Sequence, residues 1–156
     1  LNMTSETTLR LSRVDNIVGI KEASSDLVQI TQIIDAAPTN FKVWSGNDDE
    51  TFPIMCTGGY GIVSVASNII GNQIKVMMGM ILEGNIEDAA REHRRMLPLF
   101  KALFWITNPV PVKYAVNRSG FNAGPTRLPM WESDENFRSR FNEILELYKM
   151  DLEVLR

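Results

Sequence analysis

Lys21 is the side chain whose type and setting point most directly to covalent chemistry. It lies in Ile17-Val18-Gly19-Ile20-Lys21-Glu22-Ala23-Ser24, a short apolar run that reads as a buried strand. Burial disfavours the charged form of an amine. A neutral amine is a nucleophile whose natural targets are carbonyl carbons, giving a Schiff base. The competing reading is a lysine that ends a strand or snorkels to the surface. Other chemistry-bearing groups are weaker. Gly46 follows a second strand at the corresponding end, where it either lets backbone approach a ligand or makes a helix-entry turn. Gly58-Gly59-Tyr60-Gly61 precedes a strand instead of opening a helix, so its amides are not set for an anion. Asp48-Asp49-Glu50 reads first as helix-dipole acids and only second as a carboxylate cluster. His93, the only histidine, sits in a charged run that reads as a solvated helix face, and Cys56 reads as inert packing beside Met55.

The elements that must position these groups come in two kinds. Residues 4–13 read as a helix and 16–22 as a strand. Asp26 can cap a helix carrying Leu27, Ile30, Ile33 and Ile34, which Pro38-Thr39-Asn40 ends. Phe41–Ser45 is a second strand, a short helix follows through Phe52, Ile54 and Met55, and Ile62–Ala66 is a third strand. Strand and helix in alternation with short connectors predict parallel pairing. Beyond residue 68 the pattern is helical: a methionine-rich helix over 69–83, a break at Gly84-Asn85, and a long helix over 86–104 kinked at Pro98. A helix capped by Asn108 comes next, then a loop from Gly120 to Pro129, and a last helix capped by Ser133. Alternation along the first strand puts Ile17, Gly19, Lys21 and Ala23 on one face and Val18, Ile20 and Glu22 on the other, where bulky Val18 and Ile20 suit a helix-covered surface. The small residues leave room around Lys21. Three strands make either a small open α/β domain or the back portion of a barrel, since a closed eight-stranded one needs about 250 residues.

Composition narrows the partners. The 156 residues are 44% hydrophobic with net charge −3, which fits one ordinary core and offers no electrostatic footprint for nucleic acid or an anionic membrane. One cysteine excludes an internal disulfide and points to a reducing, cytoplasmic setting. The apolar run Val76–Leu82 is too short for a membrane span, and the sequence shows no metal-ligand cluster. The chain opens on Leu1 and enters a helical pattern at once, which reads as part of a longer polypeptide.

Four ordered motifs carry a family likeness. The run Val18–Ser24 with Asp26-Leu27 resembles the Schiff-base lysine strand of the dihydrodipicolinate synthases, a branch of the pyruvate-dependent lyases. Ser45-Gly46-Asn47-Asp48 and Gly58–Val65 resemble the seventh and eighth barrel strands of that family. Asn108-Pro109-Val110-Pro111-Val112-Lys113 and Arg127-Leu128-Pro129-Met130 resemble its helical-domain segments. The resemblance implies strands six to eight of a (β/α)8 barrel over residues 1–83 and a helical C-terminal extension over 84–156. It implies an enzyme that condenses pyruvate with aspartate semialdehyde on the route to lysine, with no metal or organic cofactor. Lys21 would form the imine, and the Gly46 carbonyl and Val63 would line the pocket. A homotetramer is the implied assembly.

The likeness is partial. The family's tyrosine proton relay, its carboxylate-holding arginine and its threonine pair would all precede Leu1, and Tyr60, Tyr114 and Tyr148 do not match the relay position. Each such group typically supplies about 10²-fold or more in rate, so full activity is expected to need the missing N-terminal half of the barrel. Two other readings stand beside this one. A sister aldolase acting on a sialic or keto-deoxy sugar acid would still capture pyruvate but would prefer another aldehyde. A non-catalytic half-barrel would capture nothing and would associate through open strand edges.

Overall fold

The computed structural model describes residues 2–152. Helix α1 (Ser5–Leu11) starts where the Thr4 side chain accepts the Thr7 amide. Strands β1 (Gly19–Glu22), β2 (Lys42–Ser45) and β3 (Gly61–Ile62) form a parallel sheet in that order, with Lys21 beside Trp44 and Trp44 beside Gly61. Helix α2 (Leu27–Ala36) connects β1 to β2, and its cap is Asp26, which accepts the Gln29 amide. A 3-10 turn (Asp48–Glu50) and α3 (Thr51–Cys56) connect β2 to β3.

The strands are shorter than the apolar runs predict, for local reasons. The Ile17 amide turns back to the Val14 carbonyl, so the ladder begins only where Val18 accepts the Lys42 amide. At the other end, Ser64, Val65 and Ala66 give their hydrogen bonds to Asp48, so β3 stops at Ile62.

One face of the sheet is covered by α2. Ile30, Ile33, Phe41, Val43 and Ile54 form its core, with Ile17 and Ile20 packed alongside. The other face is left open at Lys21, Ala23 and Val63.

The second core is larger and lies among α4 (Ser67–Leu82), α5 (Ile86–Ala102), α6 (Val110–Arg118) and α7 (Glu135–Leu145). It is continuous across Gly84, joining Ile70 and Met77 of α4 to Met96, Leu99 and Phe141. The methionine-rich helix therefore packs inward through Ile74, Met77 and Ile81, while Val76 and Leu82 stay exposed. Ile70 leaves helical geometry, which frees two amides of the next turn. The Asp151 carboxylate accepts both, from Asn72 at 2.7 Å and from Gln73 at 3.3 Å. Helix α5 runs through Pro98 as a single element and ends at Ala102, two residues before the predicted stop.

Two predicted caps move. Asn108 does not cap α6: it precedes a cis peptide to Pro109, its Oδ1 is buried without a partner, and the helix starts at Val110. Ser133 yields the α7 cap to Asp134, which accepts the Phe137 amide at 2.7 Å. Ser133 turns instead to Arg138, accepting its Nε–H at 3.1 Å.

Candidate active site

The C-terminal ends of the three strands bring the predicted residues to one side of the sheet. Lys21 is the third residue of β1, and Glu22 beside it is buried on the α2 side at 3% exposure. Gly46 follows β2 directly, and its amide donates to the Glu22 carbonyl at 2.6 Å. A Cβ at Gly46 would stand 2.9 Å from Lys21 Cε and 2.7 Å from Ala23 Cβ. Glycine is thus demanded here by Ala23 and by the Glu22 carbonyl oxygen, also 2.9 Å away, with the lysine stem running alongside, a stronger requirement than a helix-entry turn makes. Val63 lies just past β3, where its amide donates to the Ser45 carbonyl at 2.9 Å, and its side chain is 48% exposed. Position parity along the three strands sets Lys21, Trp44, Gly46 and Val63 on the same face.

Several residues differ from expectation. Lys21 is exposed, not buried as its apolar run predicts. Ile20 serves the covered face as alternation predicts, and the face bearing Lys21 is the open one. Ile17, expected beside Lys21, precedes the strand and packs on the covered core instead, while Val18, expected under the helix, is 67% exposed. Gly19, predicted to leave space for the lysine, leaves it for Trp44: a Cβ there would collide with the Trp44 ring and with the Lys42 carbonyl. Cys56 is exposed at the end of α3 instead of packed, and partial desolvation still pushes its thiol pKa up. His93 is half-buried, stacked on Phe52 at 5.5 Å, and burial holds its imidazole below the ordinary value. It faces an aromatic seam and not the solvent that its charged neighbours suggest.

Asp48 is the residue that the charge pattern undersells. It is 3% exposed and accepts from the Ser64 hydroxyl, from the Val65 amide at 3.2 Å and from the Ala66 amide at 3.1 Å. Burial raises its carboxyl above the usual range, and the Ser64, Ala66 and Val65 hydrogen bonds offset part of that. Its neighbour Asn47 reaches the other way, donating to Ser25 Oγ at 3.2 Å and to Glu50 Oε2 at 2.8 Å. The available signal was Ser64 to Ser67 ahead of a long helix, a stretch whose free amides need an acceptor. Glu22 is held by the Ser24 hydroxyl and by Gln29 Nε2 at 3.3 Å. Among the described residues no group of His, Cys, Asp and Glu side chains is arranged to hold a metal ion. No helix there is long and apolar enough to cross a membrane.

A lysine and a glycine in contact at the carboxyl ends of parallel strands form a constellation that can be compared with known proteins. The sequence model of the dihydrodipicolinate synthetase family matches residues 1–148. The chain belongs to the dihydrodipicolinate synthetase family. Among its relatives in that family, a 4-hydroxy-tetrahydrodipicolinate synthase from Dehalococcoides mccartyi is 49% identical over 153 residues, covering 98% of this chain and 52% of its own length. One from Moorella thermoacetica is 49% identical over 129 residues, covering 83% of this chain and 44% of its own length. Solved family structures superpose closely. The enzyme from Cyanidioschyzon merolae, determined with lysine bound, matches with a TM-score of 0.91 at 40% identity, over 94% of this chain and 50% of its own. That from Thermotoga maritima matches with a TM-score of 0.89 at 40% identity, over 93% of this chain and 50% of its own. The chain thus spans about half the length of the relatives it matches, and its α/β fold corresponds to half of theirs.

Proposed function

We propose that this chain carries the nucleophile of a 4-hydroxy-tetrahydrodipicolinate synthase, with Lys21 as the Schiff-base lysine that condenses pyruvate with aspartate semialdehyde. The observation that carries the reading is the contact of Lys21 Cε with the Gly46 position at the carboxyl ends of β1 and β2. In barrel enzymes that end of the strands bears the chemistry. The unprotonated Nζ attacks the pyruvate ketone carbon, and the ketone oxygen leaves as water. The resulting iminium acidifies the methyl group, whose proton departs to give an enamine. The enamine carbon forms a bond to the aldehyde carbon, the aldehyde oxygen takes a proton, and water releases Lys21. In this reading the Gly46 carbonyl and Val63 line the pyruvate pocket.

The same reading takes residues 1–83 as strands six to eight of a (β/α)8 barrel and 84–156 as a helical extension that shares its core. The barrel's other half supplies the proton relay and the carboxylate clamps, and the whole is a cytoplasmic homotetramer. Pyruvate with borohydride tests it: the chain should gain one irreversible pyruvyl adduct at Lys21, located by peptide mass mapping and lost in Lys21→Ala. An adduct spread evenly over Lys21, Lys42 and Lys75 would sink the proposal. The exposure of Lys21 favours a second reading, a non-catalytic half-barrel. It predicts no selective adduct, and association that rises with concentration in sedimentation, through the outer edges of β1 and β3.

A further inference from the structure

We infer that Asp48 is a positioning residue for the Lys21 site, fastening the loop that carries Val63 to the loop that carries Gly46; the inference rests on the reading of Lys21 as the pyruvate nucleophile. Asp48 stands two residues after Gly46, and Ser64, whose hydroxyl it accepts, stands one residue after Val63. Its other oxygen takes both the Val65 and the Ala66 amides. Val63 itself is tied to the β2 end by its amide on the Ser45 carbonyl, so the two loops are joined on either side of the Val63 side chain. A buried carboxylate is costly unless its hydrogen bonds are met.

Accepting amides at the entry of α4 accounts for only part of this arrangement. Ser64 already gives its hydroxyl oxygen to the Ser67 amide at 2.8 Å, a local cap that any chain can make. The Asp48 link spans sixteen residues and connects the ends of two different strands. Asn47 braces the same hub toward Ser25, in the loop after β1. Adjacent residues of the β2 loop therefore hold the loops on both sides of it. In the proposed pocket this fixes where Val63 stands relative to an imine on Lys21.

The test compares two carbonyl reagents on the intact chain. Pyruvate needs the pocket, whereas formaldehyde needs only the amine, and borohydride traps both. Asp48→Asn keeps the side-chain volume but removes the charge and one acceptor: with its carbonyl oxygen on the two amides, its NH2 meets the Ser64 hydroxyl, whose own proton loses its acceptor. The expected result is a pyruvate adduct at Lys21 forming about tenfold more slowly, since small misplacements near the reacting atoms have effects of this order. Formaldehyde modification of Lys21 should keep its rate, and amide exchange at Val65 and Ala66 should quicken while β1 and α2 stay protected. Ser64→Ala, the milder variant, should move each readout the same way. Equal rates for both reagents in both variants would overturn the inference. So would a parallel change for both reagents with loss of protection throughout, which marks a purely structural role. If the unaltered chain takes formaldehyde but no pyruvate at Lys21, the proposed function fails. Amide exchange in Asp48→Asn then decides on its own, with confinement to residues 63–66 sustaining the fastening and no change refuting it.

Discussion

The two faces of the three-stranded sheet are built to different ends. The face under α2 is packed from Ile30, Ile33, Val43 and Ile54, with Ser45 and Glu22 buried beside them. Apart from the half-buried Trp44, the face bearing Lys21 carries small or exposed residues: Gly19, Ala23, Gly46 and Val63. Strand alternation requires both faces to come from one sequence, so stability and chemistry are assigned by parity. The covered face should hold nearly all of the sheet's stability. Ile33→Ala removes a fully buried side chain and should cost about 2–5 kcal/mol, read as a drop in the urea midpoint. Lys21→Ala, one strand position from Ile20 but on the other face, should stay within about 0.5 kcal/mol while abolishing the pyruvate adduct. Equal losses in the two variants would break the division.

Gly46 sits where the two roles meet, and its substitution sharpens the contrast. A methyl group there would lie 2.9 Å from the Glu22 carbonyl oxygen as well as from the lysine stem. The stem can move, but the carbonyl belongs to a strand buried against α2. Gly46→Ala should therefore cost about 1–3 kcal/mol, as overpacking does. It should also slow pyruvate capture at Lys21 by at least as much as Asp48→Asn. A variant with ordinary stability and ordinary capture would mean that the lysine stem does not rest on this glycine.

How much of this could be read in the sequence depends on the kind of interaction involved. The order of strands and helices was legible because the apolar periods and the Asp26 cap are local signals, and the parity of Lys21 followed from alternation alone. The exposure of Lys21 was not legible, because an apolar run does not say which neighbouring face is covered. The ends of β1 and β3 were misread since Val14 and Asp48 compete for their backbone groups from outside the strands. The caps of α6 and α7 each fall one residue later than their side chains suggest: Asn108 and Ser133 have the right chemistry, yet the helices start after Pro109 and Asp134. Asp48 does not stand out in the sequence because three acids at a helix entry all read as dipole acids, while only the first is buried, against a partner sixteen residues on.

The smallest expected effect concerns the seam between the sheet and the helical core. There His93 of α5 stacks on Phe52 of α3 and lies 6.3 Å from Phe100, with its Nδ1 buried and unpartnered. Burial lowers its pKa and Arg94 adds to this, while Asp49 opposes it. The folded state therefore binds the proton less readily than the unfolded chain, whose imidazole titrates near about 6.5. Above that pH the group is neutral in both states and its contribution is complete. As the pH falls through the depressed folded value, the unfolded chain gains the proton first and stability declines. Asp48 has the opposite sign: its raised pKa gives stability that is present below the ordinary carboxylate value and lost as the pH rises through the folded one. The two are separated by His93→Phe, which keeps an aromatic ring in the stack and removes only the titration. Urea midpoints measured from pH about 7 down to about 5 should fall less steeply in His93→Phe than in the unaltered chain. Parallel slopes would show that the imidazole is as free to ionise in the seam as in water, and the seam would then be as open as the Lys21 face.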